Sequence, residues 1–145
     1  LTYSMPHRVL PTVGHKGIFP VWDAVDRFWV DSEFMPYWHA DCPVQTGASD
    51  VLASAWARPE KGEALIVVAN WSDRARTGAV RVNAPKLGLD ASRLVATRAV
   101  KHPILGPSDD PKYGSSANPP VTYRNGQIGL QLPPKNLEII LLRQR

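Results

Sequence analysis

The chain has 145 residues, 43% of them hydrophobic and 21% charged, which fits one globular domain with a flanking segment and argues against wholesale disorder. Its net charge of +4 is uneven: residues 1–72 hold 5 Lys/Arg against 8 Asp/Glu, and residues 73–145 hold 12 against 5. Seven of the second half's arginines, Arg74, Arg76, Arg81, Arg93, Arg98, Arg124 and Arg143, are spread singly over many predicted elements, and there is no basic run, which argues against a nucleic-acid partner.

No stretch approaches the ~20 apolar residues of a membrane span, and no signal peptide is visible. The single cysteine, Cys42, rules out an internal disulfide framework and leaves the compartment open. The chain begins at Leu1, not Met, and reads as a processed or excised piece. Its 14 prolines, about twice average usage, favour a loop-rich β protein.

In chain order, residues 1–17 carry Pro6, Pro11, Gly14 and Gly17 and read as an extended lead-in. Ile18, Val21, Trp22, Val25, Phe28 and Trp29 then recur at helical spacing, with Asp23, Asp26 and Arg27 on the other side. That spacing predicts a short amphipathic helix within about residues 18–31, with Pro20 in its first turn. Its two tryptophans are expected to pack on a neighbouring sheet or domain. Glu33–Val44 reads as an irregular aromatic link.

The sheet region starts near Val51. Val51–Ala57, Glu63–Asn70, Gly78–Asn83, Gln127–Leu132 and Leu137–Leu142 are apolar or alternating runs bounded by Gly, Pro, Asn or Asp, the pattern of an antiparallel sandwich. Arg58–Gly62 is the first hairpin loop. The next strand is apolar on both faces and so is expected to be central. Val80 and Val82 point inward. Ser92–Val100 is a weaker strand, and Val121–Arg124 pairs with Gln127–Leu132 through Asn125-Gly126, a type I′ turn signal. Lys101–Pro120, with five prolines, is expected to be a surface loop more mobile than the strands.

Little in the chain suggests chemistry. Asp23 and Asp26 share a helix face as ordinary solvated residues, and Asp109-Asp110 sits in the Pro-rich loop; neither pair makes a convincing glycosidic dyad. His39-x-x-Cys42, with Asp41, His7 and His15, lacks regular metal-ligand spacing, and a nearby Cys and His is weak evidence of a nucleophile. No catalytic residue, metal or cofactor is therefore assigned. Asn70-Trp71-Ser72 matches a glycosylation sequon but reads better as a turn in which the Asn side chain bonds local backbone. The loop aromatics Tyr37, Trp38, Trp71, Tyr113 and Tyr123 are candidates for stacking on sugar rings.

The order of elements resembles the C-terminal all-β domain that follows the barrel in many glycoside hydrolases, α-amylase-like enzymes included, and is closer to proteins related to glycoside hydrolase family 123. Phe19–Trp38 (FPVWDAVDRFWVDSEFMPYW) is similar to the closing helix and aromatic link, Ala64–Ser72 (ALIVVANWS) to the central strand and its turn, and Gly129–Leu142 (GLQLPPKNLEIILL) to the terminal hairpin. These stretches cover roughly a third of the chain, and no barrel or barrel acid is present.

The reading is an all-β antiparallel β-sandwich with a short N-terminal helix: 1–45 as lead-in, helix and linker, 46–145 as the sandwich. The resemblance implies a non-catalytic accessory module on the catalytic barrel domain of the same parent, with Trp22 and Trp29 as docking anchors. One alternative is a free-standing carbohydrate-binding module using the loop aromatics. Another is a basic module meeting an acidic partner through its C-terminal half.

Overall fold

The computed structural model describes residues 30–99 and 121–145, together with Ala24, Asp26 and Phe28. Nine strands lie among these residues: β1 (Glu33–Met35), β2 (Val44–Thr46), β3 (Val51–Arg58), β4 (Glu63–Asn70), β5 (Arg76–Val82), β6 (Leu94–Arg98), β7 (Tyr123–Arg124), β8 (Gln127–Leu132) and β9 (Leu137–Gln144). They form a five-stranded sheet in the order β1-β3-β4-β9-β6 and a four-stranded sheet in the order β2-β5-β8-β7. Every pairing is antiparallel.

The doubly apolar run at 64–69 does occupy the middle of its sheet. Ala64, Ile66 and Val68 join the cluster between the sheets, whereas Leu65, Val67 and Ala69 join a second cluster on the outer face. Strand β9 divides the same way: Ile140 and Leu142 face in, and Leu137, Ile139 and Leu141 face out. In β3 the inward positions are Val51, Ala53, Ala55 and Ala57, and Trp56 faces out. Successive side chains of a strand point to opposite faces, so the central strands β3, β4 and β9 are buried on both sides.

The four-stranded sheet is one-sided. Val80, Val82, Ile128, Leu130 and Leu132 are buried against the inner cluster, while Arg81, Gln127, Gly129 and Gln131 are exposed. Fully burying an aliphatic side chain of this kind contributes roughly 1.5–3 kcal/mol, which fixes the register, because a one-residue slip would turn all of them to water.

The turns follow local chemistry. Asn125 and Gly126 have φ of 51° and 74°, the two positive values a type I′ turn needs, and Arg124 pairs directly with Gln127. Between β3 and β4 a 3-10 turn at Pro59–Lys61 closes on Gly62, and Arg58 meets Glu63 at 3.1 Å. At the other end of β4, Asn70 is buried and its carboxamide forms the turn. Its Nδ2 donates to the carbonyls of Arg74 (2.8 Å), Leu132 (3.2 Å) and Pro133 (2.9 Å), and its Oδ1 accepts from the Ser72 amide at 3.0 Å. One side chain thus clasps the β4–β5 turn to the β8–β9 turn.

Strand β1 lies inside the expected irregular link, and β2 begins at that link's last residue. Glu33–Met35 pairs with β3 and Val44–Thr46 with β5, so the sheets draw on residues either side of position 45. Each is three residues long with one partner, too short to show a period in sequence. Strand β5 begins at Arg76, not Gly78, and β6 is shorter than Ser92–Val100 because Asp90 caps a 3-10 turn at Ala91–Arg93 by accepting from the Ser92 amide at 2.9 Å. In the segment expected to be helical, Ala24, Asp26 and Phe28 are helical, with Ala24 and Phe28 buried and Asp26 exposed. The bounds of that helix, Trp22, Trp29 and the Lys101–Pro120 loop lie outside the described residues.

Candidate functional site

The outer face of the five-stranded sheet is where the N-terminal segment meets the sandwich. Trp56, Leu65, Val67, Leu137, Ile139 and Leu141 form an apolar floor, on which Ala24 and Phe28 are buried. The contact is pinned by charge. The Arg58 guanidinium lies 4.7 Å from the centre of the Phe28 ring, a cation–π geometry, and Lys61 reaches Asp31 at 3.3 Å. The Ser32 hydroxyl donates to the Phe28 carbonyl.

A string of aromatic rings continues from this floor to the surface. Phe34 and Trp56 are cross-strand partners with centroids 4.7 Å apart. Phe34 meets Trp38 edge-on at 6.2 Å, and Trp38 meets Tyr37 edge-on at 5.0 Å. Edge-to-face contacts of this kind add roughly 0.5–1.5 kcal/mol each beyond area burial. The string starts in a fully buried indole and reaches the surface at Trp38, 54% exposed, while Val30 is 83% exposed.

The loop aromatics therefore separate. Tyr37 and Trp38 come together on the outer side, and Trp71 packs against the outer cluster at the end of β4. Tyr123 instead packs against the cluster between the sheets, and its phenol is pushed up by desolvation. Tyr113, Trp22 and Trp29 lie outside the described residues. Phe34 had no role in the sequence reading; Trp56, expected in a core or docking role, is buried in the outer cluster. The signal for Trp56 was its parity: it is the large residue at the position out of phase with the inward alanines Ala53, Ala55 and Ala57.

The chemical candidates among the described residues are structural. The His39 Nδ1 accepts from the Asp41 amide at 3.3 Å, and the Cys42 amide donates to the His39 carbonyl at 3.0 Å, so the two residues build a turn. The Cys42 thiol is buried and raised in pKa by desolvation, the opposite of an activated nucleophile. Glu138 is also raised by burial, which its 2.9 Å contact with Arg98 partly offsets. No group of three or more His, Cys, Asp or Glu among the described residues is placed to hold a metal. No helix among them is long and apolar enough to cross a membrane.

These features define an antiparallel β-sandwich domain with the centre of one sheet buried on both sides and an aromatic string leading to its surface. The chain belongs to the glycoside hydrolase 123 C-terminal domain family, whose model matches residues 18–105. None of the curated proteins matches it. Among solved structures it is similar to a GH30 endoxylanase from Clostridium papyrosolvens C71, at 18% identity and a TM-score of 0.42 over 69% of this chain and 22% of that one. It is also similar to a glycoside hydrolase family 30 subfamily 8 xylanase from Clostridium acetobutylicum, at 14% identity and a TM-score of 0.43 over 66% of this chain and 21% of that one. The chain thus spans about a fifth of the length of these proteins.

Proposed function

We propose that this domain is a non-catalytic accessory module of a glycoside-hydrolase-like protein, seated on the catalytic barrel domain of the same parent. Its membership of a C-terminal domain family supports the reading. The observation that carries it is the outer side of the five-stranded sheet, where an apolar floor is sealed by Ala24 and Phe28 and flanked by the exposed Val30 and Trp38. Large exposed apolar side chains beside a sealed cluster suit a domain–domain contact. Trp22 and Trp29, on the segment that holds Ala24 and Phe28, are proposed as further anchors of that contact.

The test compares a parent carrying both domains with the isolated chain. Val30→Asp, at a side chain 83% exposed, is expected to lower the parent's melting temperature or split its transition in two, and to leave the isolated chain's melting temperature nearly unchanged. A parent that melts as before would sink the docking role. Turnover of aryl glycosides by the isolated chain above background would sink the non-catalytic one.

A further inference from the structure

The exposed face of the four-stranded sheet, on the far side from the proposed docking face, carries an ordered row of polar side chains. Gln45 of β2 pairs with Arg81 of β5, Arg81 with Gln127 of β8, and Gln127 with Arg124 of β7. The row crosses all four strands in the alternating order Gln, Arg, Gln, Arg, and every member is exposed. The next positions along β5 and β8 are the pair Ala79 and Gly129, and beyond them Thr77 and Gln131. A Cβ built on Gly129 would meet nothing within 4 Å, so a flat shelf adjoins the row. Gln45 and Arg81 also line a concavity of about 600 Å³ with Asn83, Lys86, Asn125 and Tyr123.

The charge on this face is unspent. None of these eight outward positions is acidic, and Arg81 and Arg124 take part in none of the ion pairs among the described residues. Neighbouring strands lie about 4.8 Å apart, which puts the two arginines ~10 Å apart across Gln127. A guanidinium presents a planar fork of donors that matches a carboxylate. A Gln amide both donates and accepts, as sugar hydroxyls also do.

We propose that this face binds an acidic polysaccharide in which a uronic acid alternates with a neutral sugar, the chain running along the row and over the shelf. Arg81 and Arg124 each take a carboxylate, and Gln45 and Gln127 take hydroxyls of the sugars between. A pyranose advances a glycan by about one strand spacing, so the alternation of the row matches the alternation of the ligand. Single-stranded nucleic acid is the less suited polyanion, because none of the eight positions of the row and shelf is an aromatic on which bases could stack.

The test is affinity electrophoresis of the 145-residue chain in gels containing hyaluronan (alternating uronate), polygalacturonate (continuous uronate), dextran (neutral) or single-stranded DNA. Retardation strongest in hyaluronan, absent in dextran and reduced by added salt is expected. Arg81→Gln and Arg124→Gln should each weaken binding about tenfold, as for loss of a charge-assisted hydrogen bond. Arg74→Gln, which removes the same charge from an exposed turn, should not. Gly129→Glu, entering open space, should abolish binding with no change in melting temperature. This second variant keeps the test decisive should an arginine variant fold poorly. No retardation in hyaluronan, equal retardation in DNA or polygalacturonate, or an equal effect of Arg74→Gln would overturn the proposal. The proposal stands or falls separately from the docking role.

Discussion

Replacing Asn70 by Asp changes one group and no shape, and so isolates what the buried carboxamide does. Three backbone carbonyls, of Arg74, Leu132 and Pro133, converge on its Nδ2. A carboxylate oxygen there would face acceptors with nothing to donate. A buried polar group left without its partner costs about 1–3 kcal/mol, and here several are stranded at once, so a loss of roughly 3–5 kcal/mol is expected. Asn70→Ala should fall in the same range through the same unsatisfied carbonyls. Urea unfolding measures this directly. With a slope of roughly 1–3 kcal/mol per molar, the midpoint should drop by more than about 1 M at an unchanged slope. Protonation would restore a donor. Part of the Asn70→Asp loss should therefore be regained as the pH falls through the range in which the new carboxyl binds a proton. A midpoint within error of the parent chain at neutral pH would refute the reasoning.

Burial raises the Glu138 carboxyl, so the folded chain holds that proton more tightly than the unfolded one. Its contribution to stability is then greatest below the ordinary glutamate pKa of about 4.3 and declines as pH rises toward the folded value. Denaturation midpoints against pH should show this decline in the parent chain and a flatter profile in Glu138→Gln. Gly88 has φ of 70°, and a Cβ there would sit 2.6 Å from the Pro59 Cβ, so Gly88→Ala should cost about 1–3 kcal/mol in a thermal melt. The left-handed penalty alone would leave the loss near the bottom of that range.

How much was legible depended on how many residues a pattern could recruit. Strands β3, β4, β8 and β9 span six to eight residues each, long enough for period-2 or two-faced burial to register. The Asn70 clasp was legible in kind, since an Asn where a strand ends bonds nearby backbone, but its reach to Leu132 and Pro133 needed the strand order. Strands β1 and β2 owe their conformation to single neighbours far away in sequence, and no local signal marks them. The loop aromatics looked interchangeable in sequence. Tyr123 packs against the cluster between the sheets, Trp71 against the outer one, and Trp38 meets Phe34, which packs on the outer one. The Gln–Arg row was invisible for the same reason: positions 45, 81, 124 and 127 become neighbours only through the register of four strands.

The sheets' outermost strands have a consequence for how such a domain survives beside others. Among the described residues three of the four, β1, β2 and β7, are three, three and two residues long, and the fourth, β6, has five. An outermost strand's unpaired amides and carbonyls are a template on which a foreign chain can add itself, and two or three residues give too little of one to nucleate growth. A domain tethered in one polypeptide meets partly folded neighbours at high local concentration while the chain is being made. Short borders protect it from being conscripted into the wrong sheet at that stage. Lengthening β7 would be the most direct way to make this domain prone to aggregate.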